Sequence, residues 1–245
     1  MNILFAKKPL LMILSLIFLS GCSYNHELTN DAMDPLESRN RAVYSFNESL
    51  DEAILEPAAD SYDYITPNFL QKGFNNFFDN INYPVTIINQ VLQGNFEESL
   101  SDTLRFTINS SIGILGFFDP ASSMGLPEHD EDFGQTLAVW GVKEGPYLML
   151  PFFGPKTLRS LTGDLTDVFF NPLLNIDDTN LKIKTNLINI LQDRSDLSSL
   201  EEELDNSFDP YQYIKDSYIQ NRKYKIYNGN ITEDDLEIDI DFNDF

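Results

Sequence analysis

The chain has 245 residues, with 39 acidic side chains against 16 basic ones and a formal net charge of −23. That balance argues against nucleic acid and against electrostatic docking on anionic lipid, since both need basic patches. Aromatic content is nonetheless 13%, with 19 Phe and 11 Tyr, so membrane contact is expected through apolar burial rather than through charge.

Residues 1–21 read as a targeting segment. Lys7 and Lys8 form a basic start, Pro9 to Leu19 a short apolar core, and Leu19-Ser20-Gly21-Cys22 a small-residue cleavage site ending in cysteine. The apolar core is about ten residues long, against the ~20 that a resident membrane-spanning helix needs. The Leu-Ser-Gly-Cys string resembles the lipobox of bacterial lipoproteins. That resemblance implies cleavage before Cys22 and acyl chains on its sulfur and amine, enough to hold the protein durably on a membrane. Ser23, rather than Asp, after the cysteine favours export to the outer membrane. Cleavage would leave about 224 residues, enough for one sizeable domain. Loss of Lys7 and Lys8 takes the charge from −23 to −25. Cys22 is the sole cysteine, so internal disulfides, a cysteine nucleophile and a thiolate metal site are excluded.

Residues 22–33 read as a polar tether. The domain is expected to open at Asp34-Pro35-Leu36-Glu37, with Asp34 as N-cap and Glu37 in capping-box position. Val43, Phe46 and Leu50 continue that helix, which should fade before Pro57. Thr66-Pro67 reads as a second start, followed by a broad apolar stripe of Leu70, Phe74, Phe77, Phe78 and Ile81 that suits full burial or lipid. Pro84 is expected to restart a helix that Gly94 closes. Phe96, Leu100, Leu104 and Ile108 build the next, with Asp102, Arg105 and Asn109 on its other side, and Gly113 and Gly116 end it.

Eight of the twelve glycines fall between Gly113 and Gly163. Within this stretch Phe133, Leu137 and Trp140 keep helical spacing up to Gly141. Leu158, Leu161, Leu165 and Phe169 do so downstream. Between them lies Tyr147 to Phe153, interrupted by Pro151 and bracketed by Gly145-Pro146 and Gly154-Pro155. Each bracket enforces a bend. The stretch is expected to form helix, bent apolar hairpin, helix. The alternative is an ordinary buried loop. Farther on, Leu181 to Leu191, Leu197 to Leu204 and Pro210 to about Tyr227 read as helices. No segment alternates with period two, so strands are expected to be minor and the class all-α. Residues 228–245 carry seven acids and no base and read as a solvated, disordered tail, with partner binding as the alternative.

Catalytic signals are poor. His129, within Glu128-His129-Asp130-Glu131-Asp132, superficially offers metal ligands, but neighbours in sequence point in different directions and the HExxH spacing is absent. These acids are expected instead to crowd the start of the helix that ends at Trp140. There is no G-x-S-x-G elbow, P-loop or G-x-G-x-x-G motif. We expect no enzyme, no metal and no cofactor.

Asp34-Pro35-Leu36-Glu37, with Asn40-Arg41 and Tyr44-Ser45-Phe46-Asn47, resembles the opening of the VacJ/MlaA outer-membrane lipoproteins. Pro84-Val85-Thr86, Leu92-Gln93-Gly94, Arg105-Phe106, Asn109-Ser110 and Phe118-Asp119-Pro120-Ala121 also match, as do His129 through Gly141, Gly145-Pro146-Tyr147, Leu150-Pro151, Gly154-Pro155 and Asp209-Pro210-Tyr211. The resemblance spans about residues 34–227. It implies a ring of short helices embedded from the periplasmic side in the inner leaflet of the outer membrane, around an amphipathic channel. It also implies association with trimeric porins, and phospholipids passed from the outer leaflet to a periplasmic carrier. On that basis Gly141, Gly145, Pro146, Tyr147, Pro151, Phe153 and Gly154 are candidates for a gating hairpin. Asp102, Arg105 and Gln135 would suit a headgroup path, because ionisable groups persist at membrane depth only beside water or one another. A structural lipoprotein scaffolding a porin or envelope complex is the other reading, and a lipid-degrading enzyme a third.

Overall fold

The computed structural model describes residues 33–175, 179–198 and 201–230. The signal segment, Cys22, residues 22–32 of the tether and residues 231–245 of the tail lie outside the described residues. The described part is mostly helical with one small antiparallel pair of strands. In chain order it comprises α1 (Glu37–Leu50), a π-helical stretch (Asp51–Leu55), α2 (Glu56–Ile65), α3 (Asn68–Gln93), α4 (Phe96–Ser111), α5 (Pro120–Ser123), α6 (Phe133–Val139), β1 (Tyr147–Leu150), β2 (Gly154–Thr157), α7 (Leu158–Asp167), a 3₁₀ turn (Pro172–Asn175), α8 (Thr179–Leu197), α9 (Glu201–Asp205) and α10 (Pro210–Ile226). The all-α class holds. Among the described residues no helix is long and apolar enough to cross a membrane.

Several helix boundaries differ from expectation: the helix read at Leu197 to Leu204 is instead the end of α8 at Leu197 and the short α9 from Glu201, and Pro67 rather than Thr66 precedes α3. Asp34 does not cap α1; Leu36 occupies that position without a side-chain bond, and Asp34 is fully buried beneath the chain. The helix does not fade before Pro57: a π-helical stretch (Asp51–Leu55) carries it into α2, and Pro57 is accommodated where the π-helical bonding gives way to α-helical bonding. Likewise Pro84 does not begin a helix but lies inside the 26-residue α3, where it removes one intrahelical bond. Packing of α3 along α4 outweighs that loss. Gly94, at φ 87°, closes α3 in the left-handed conformation that its lack of a Cβ permits.

Helices α6 and α7 approach so closely that a Cβ on Gly163 would lie 2.3 Å from the amide nitrogen of Gly134. Helix α8 lies against α2 and α3, with Tyr62 donating to Gln192 and Asn75 to Asp196. Helix α10 closes against β2 and α6.

The distribution of polarity is the reverse of a water-soluble domain's. Among the described residues ten apolar side chains are buried, against eighteen polar or charged ones. In α4 the buried face is Ser99, Asp102, Arg105 and Asn109, while Phe96, Leu100 and Leu104 are exposed. In α6 it is Gly134, Gln135 and Thr136, with Trp140 outside. In α7 Ser160 and Gly163 face inward, and Leu158 and Leu165 outward. The apolar stripes read from the sequence exist, but several of them form the outer surface. One apolar cluster remains inside: Tyr147, Met149 and Tyr211, flanked by Val43, Tyr44, Ile214 and Tyr218.

Candidate functional site

That cluster is the root of the hairpin. Tyr147 pairs with Thr157, Leu148 with Lys156, Met149 with Pro155 and Leu150 with Gly154. The alternation of a strand sends Tyr147 and Met149 inward. Pro151, Phe152 and Phe153 form the turn. Phe152 has φ 69° and Gly154 φ 68°, and both phenylalanines are exposed, by 71% and 76%. Gly141 and Gly145, also at positive φ, bend the chain before β1. The helix–hairpin–helix arrangement is therefore present, with Tyr147 in the core and Phe153 at an exposed tip. Pro146 accepts from the amide of Leu158, tying the entry to the exit.

Among the described residues β1 has no third strand beside it; the Tyr147 amide donates to the Met33 carbonyl at 2.7 Å. Two asparagines of α1 take the place of such a strand. Asn40 donates to the Tyr147 carbonyl and accepts from the Met149 amide; Asn47 donates to the Leu150 carbonyl and accepts from the Phe152 amide. Seven residues of helix rise about 10.5 Å, and the three residues between the two strand positions span about 10 Å. Side-chain amides two turns apart thus reach from the strand, at Tyr147 and Met149, to its end and turn, at Leu150 and Phe152. Phe46 adds an edge-on ring contact to Phe152, with centroids 5.5 Å apart.

The Asn40 clamp is itself held. Asn40 also donates to Asp34, which accepts in turn from the Tyr211 hydroxyl at 2.5 Å, with Lys215 Nζ 3.7 Å away. The ring of Tyr211 packs edge-on against Tyr147 and Tyr44 and lies beneath Arg41, whose guanidinium forks onto Asp209. On the other arm Thr157 and Ser160 form a reciprocal cap at the start of α7, and Ser160 meets the Tyr218 hydroxyl at 2.6 Å.

Asp102, Arg105 and Gln135 are placed indoors, 0%, 2% and 1% exposed. Arg105 donates to Asp119, Glu128, Ser122 and the Leu126 carbonyl, joining α4 to α5 and the following loop. Burial acts to raise Asp119, but bonds from Ser122 and Asn109 and the charge of Arg105 hold it below the usual carboxylate range. Burial raises Asp102, opposed by its 2.9 Å contact with His129 Nδ1. Gln135 donates to the Asp130 carbonyl. Asp132 caps α6 through the Gln135 amide and pairs with Arg222, which outweighs burial and lowers its pKa. The acids before α6 thus serve the helix start through Asp132. Glu131 instead is buried against Gln93, and burial pushes it up to about 7. Among the described residues no group of three or more His, Cys, Asp or Glu could hold a metal ion.

The clamp residues Asn40 and Asn47 were quoted for resemblance alone. The readable signal was two asparagines seven apart inside a helix, where asparagine is unfavourable unless its amide is used.

The model of the MlaA lipoprotein family matches residues 32–225 of this chain. The chain is 32% identical over 223 residues to the intermembrane phospholipid transport system lipoprotein MlaA of Escherichia coli strain K12, covering 89% of this chain and 88% of that one. To the protein of the same description in Haemophilus influenzae it is 30% identical over 247 residues, covering 96% and 99%. A solved structure reported under "Structural basis for maintenance of bacterial outer membrane lipid asymmetry" is 30% identical with a TM-score of 0.71, covering 79% of this chain and 98% of that one.

Proposed function

The chain belongs to the MlaA lipoprotein family, and from that premise we propose that it maintains outer-membrane lipid asymmetry by removing phospholipids that stray into the outer leaflet. In this reading Cys22 carries the acyl chains that hold it at the outer membrane, and the helices sink into that membrane from the periplasmic side. Phospholipid passes along an amphipathic channel beside the hairpin to a periplasmic carrier. A trimeric porin is the partner in the membrane.

The observation that carries the proposal is the inverted polarity: Phe96, Leu100, Leu104, Trp140, Leu165 and Phe169 outside, Asp102, Arg105, Asn109 and Gln135 within. Water makes such a surface unfavourable by roughly 25 cal/mol per Å² of apolar area, whereas hydrocarbon does not. A scaffold that merely hangs from its lipid anchor would need no such exterior. The test compares outer-leaflet phospholipid, isotopically labelled, in cells with and without the protein. Accumulation in its absence, with the removed lipid recovered intact, is expected. Equal outer-leaflet levels would leave only the scaffold.

One observation favours a hydrolytic reading. The buried Asp102 carboxylate against His129 is two-thirds of a nucleophilic triad. His129→Gln removes any general base. We expect lipid removal to persist in that variant and lyso-lipid to be absent from both forms. Hydrolysis by the unaltered protein that disappears in the variant would establish an enzyme instead.

A further inference from the structure

We infer that the loop 112–118, between α4 and α5, is a preformed wedge that inserts into the hydrocarbon of a lipid layer. The inference rests on the membrane reading above and adds to it a specific point of entry.

Ile112, Ile114, Leu115 and Phe118 are exposed by 66%, 64%, 65% and 54%. No charged residue occurs from Phe106 to Phe118. Ile114 and Leu115 stand at φ 55° and 57°, the left-handed region where a branched side chain meets its own backbone. A solvated turn would ordinarily place glycine or asparagine there. Holding isoleucine in that conformation is a standing cost, and it is offset if the side chains are removed from water by something apolar.

The loop is also rigid enough to carry its side chains outward. Phe117 turns back, and its ring occupies the notch at Gly73 of α3, where a Cβ would lie 2.2 Å from the ring. Asn76 donates to the Phe117 carbonyl, and Asn80, packed against Gly116, donates to Ser110. The loop is thus fastened to α3 on its inner side only.

The backbone and the lack of charge favour lipid as the occupant. The amides of Ile112, Gly113, Leu115, Gly116, Phe117 and Phe118 donate to carbonyls within the loop or back on α4. A protein partner could satisfy free amides; hydrocarbon could not, so irregular chain at membrane depth must satisfy its own. A loop that is apolar outside, uncharged, and bonded through six of its seven amides, all but that of Ile114, comes close to that condition.

The test uses the mature, acylated chain in vesicles of phosphatidylethanolamine and phosphatidylglycerol. Acylation consumes the sulfur of Cys22, so a nitroxide on Leu115→Cys is unique. Its collisions with oxygen and with a water-soluble nickel chelate report depth. Labels on Phe153→Cys and Glu97→Cys give the hairpin tip and an exposed polar control. Oxygen-dominated collisions at position 115, several-fold over those at position 97, are expected. A label at 115 open to nickel while that at 153 is in hydrocarbon would overturn the wedge and leave the membrane reading standing. Labels at both positions open to nickel would overturn both. An immobilised label shielded from both reagents would make the loop a protein contact, against the inference.

A second variant separates insertion from stability. In Ile114→Asn/Leu115→Asn the new residues tolerate the left-handed conformation, so the thermal midpoint in detergent should hold or rise. A label on Phe118→Cys should meanwhile leave the hydrocarbon, its nickel collisions rising about tenfold as two apolar side chains are lost. A fall of several degrees with the label unmoved would show that these residues serve the fold and not a lipid layer.

Discussion

Asn47 commits both ends of one side-chain amide to the hairpin tip, so its removal should loosen that tip without touching the core. Asn47→Ala leaves the Leu150 carbonyl and the Phe152 amide to water, at a cost of about 1–3 kcal/mol locally. We expect faster hydrogen exchange across residues 150–154, with protection of Tyr147 and Met149 unchanged. Equal slowing or quickening along the whole strand would contradict a local clamp. Arg105 presents the opposite case, since it is buried and its loss deprives the partly buried Asp119 of its cation. Arg105→Met should lower the unfolding free energy by about 3 kcal/mol, measured by denaturant titration in detergent. Glu131 gives a pH signature. Its folded pKa, about 7, stands above the ordinary 4.5. The folded form therefore holds the proton more tightly between those values, and stability falls as pH rises through that window. The loss is complete above about pH 7. Glu131→Gln keeps an acceptor for Gln93 and should flatten the slope between pH 4.5 and 7. An unchanged slope would assign it to another group.

Among the elements, the hairpin joins a legible outline to an illegible placement. Gly145-Pro146 and Pro151 announce a bend and a tip, and β1 forms between them; Gly154-Pro155, expected as a second bend, instead opens β2. What those residues could not disclose is that the root would be core and the tip bare, since the clamp comes from α1, more than a hundred positions earlier. Helix faces follow the same rule. The separation of Phe96, Leu100 and Leu104 from Asp102, Arg105 and Asn109 is plain from spacing. Which face looks inward is not, because periodicity separates faces without naming the solvent. Pro57 and Pro84 misled for a related reason: local propensity argues for a break, and tertiary packing overrides it. Phe153 turns the exposed tip into a test. In water Phe153→Asp should leave the fold's stability within about 0.5 kcal/mol, as expected of an exposed site. Against lipid, an unpaired carboxylate costs several kcal/mol. We therefore expect Phe153→Asp to abolish phospholipid clearance while acylation, porin association and protease resistance persist, and Phe153→Leu to keep most of it. Normal clearance by the Asp variant would make the hairpin an ordinary loop.

At the scale of the whole molecule, the exterior separates anchoring from embedding. A protein attached by its acyl chains alone becomes water-soluble when it is made from Ser23 onward, without the leader or Cys22. One with Leu100, Leu165 and Phe169 on its surface should still enter the detergent-rich phase on cloud-point separation. Partition into the aqueous phase would reduce the apolar exterior to incidental exposure. Early and late parts of the described chain are also stitched together. Asp34 is held by Tyr211, 177 positions on; Arg41 by Asp209, 168 positions on; Asp51 by Arg194, 143 positions on. Contacts between such distant residues form late, because the intervening loop must be closed before they contribute. A nascent chain cannot satisfy its first helix until nearly the last has been synthesised. On the export route proposed above this is an advantage: the polypeptide stays threadable through a translocation pore and completes its fold only on the far side.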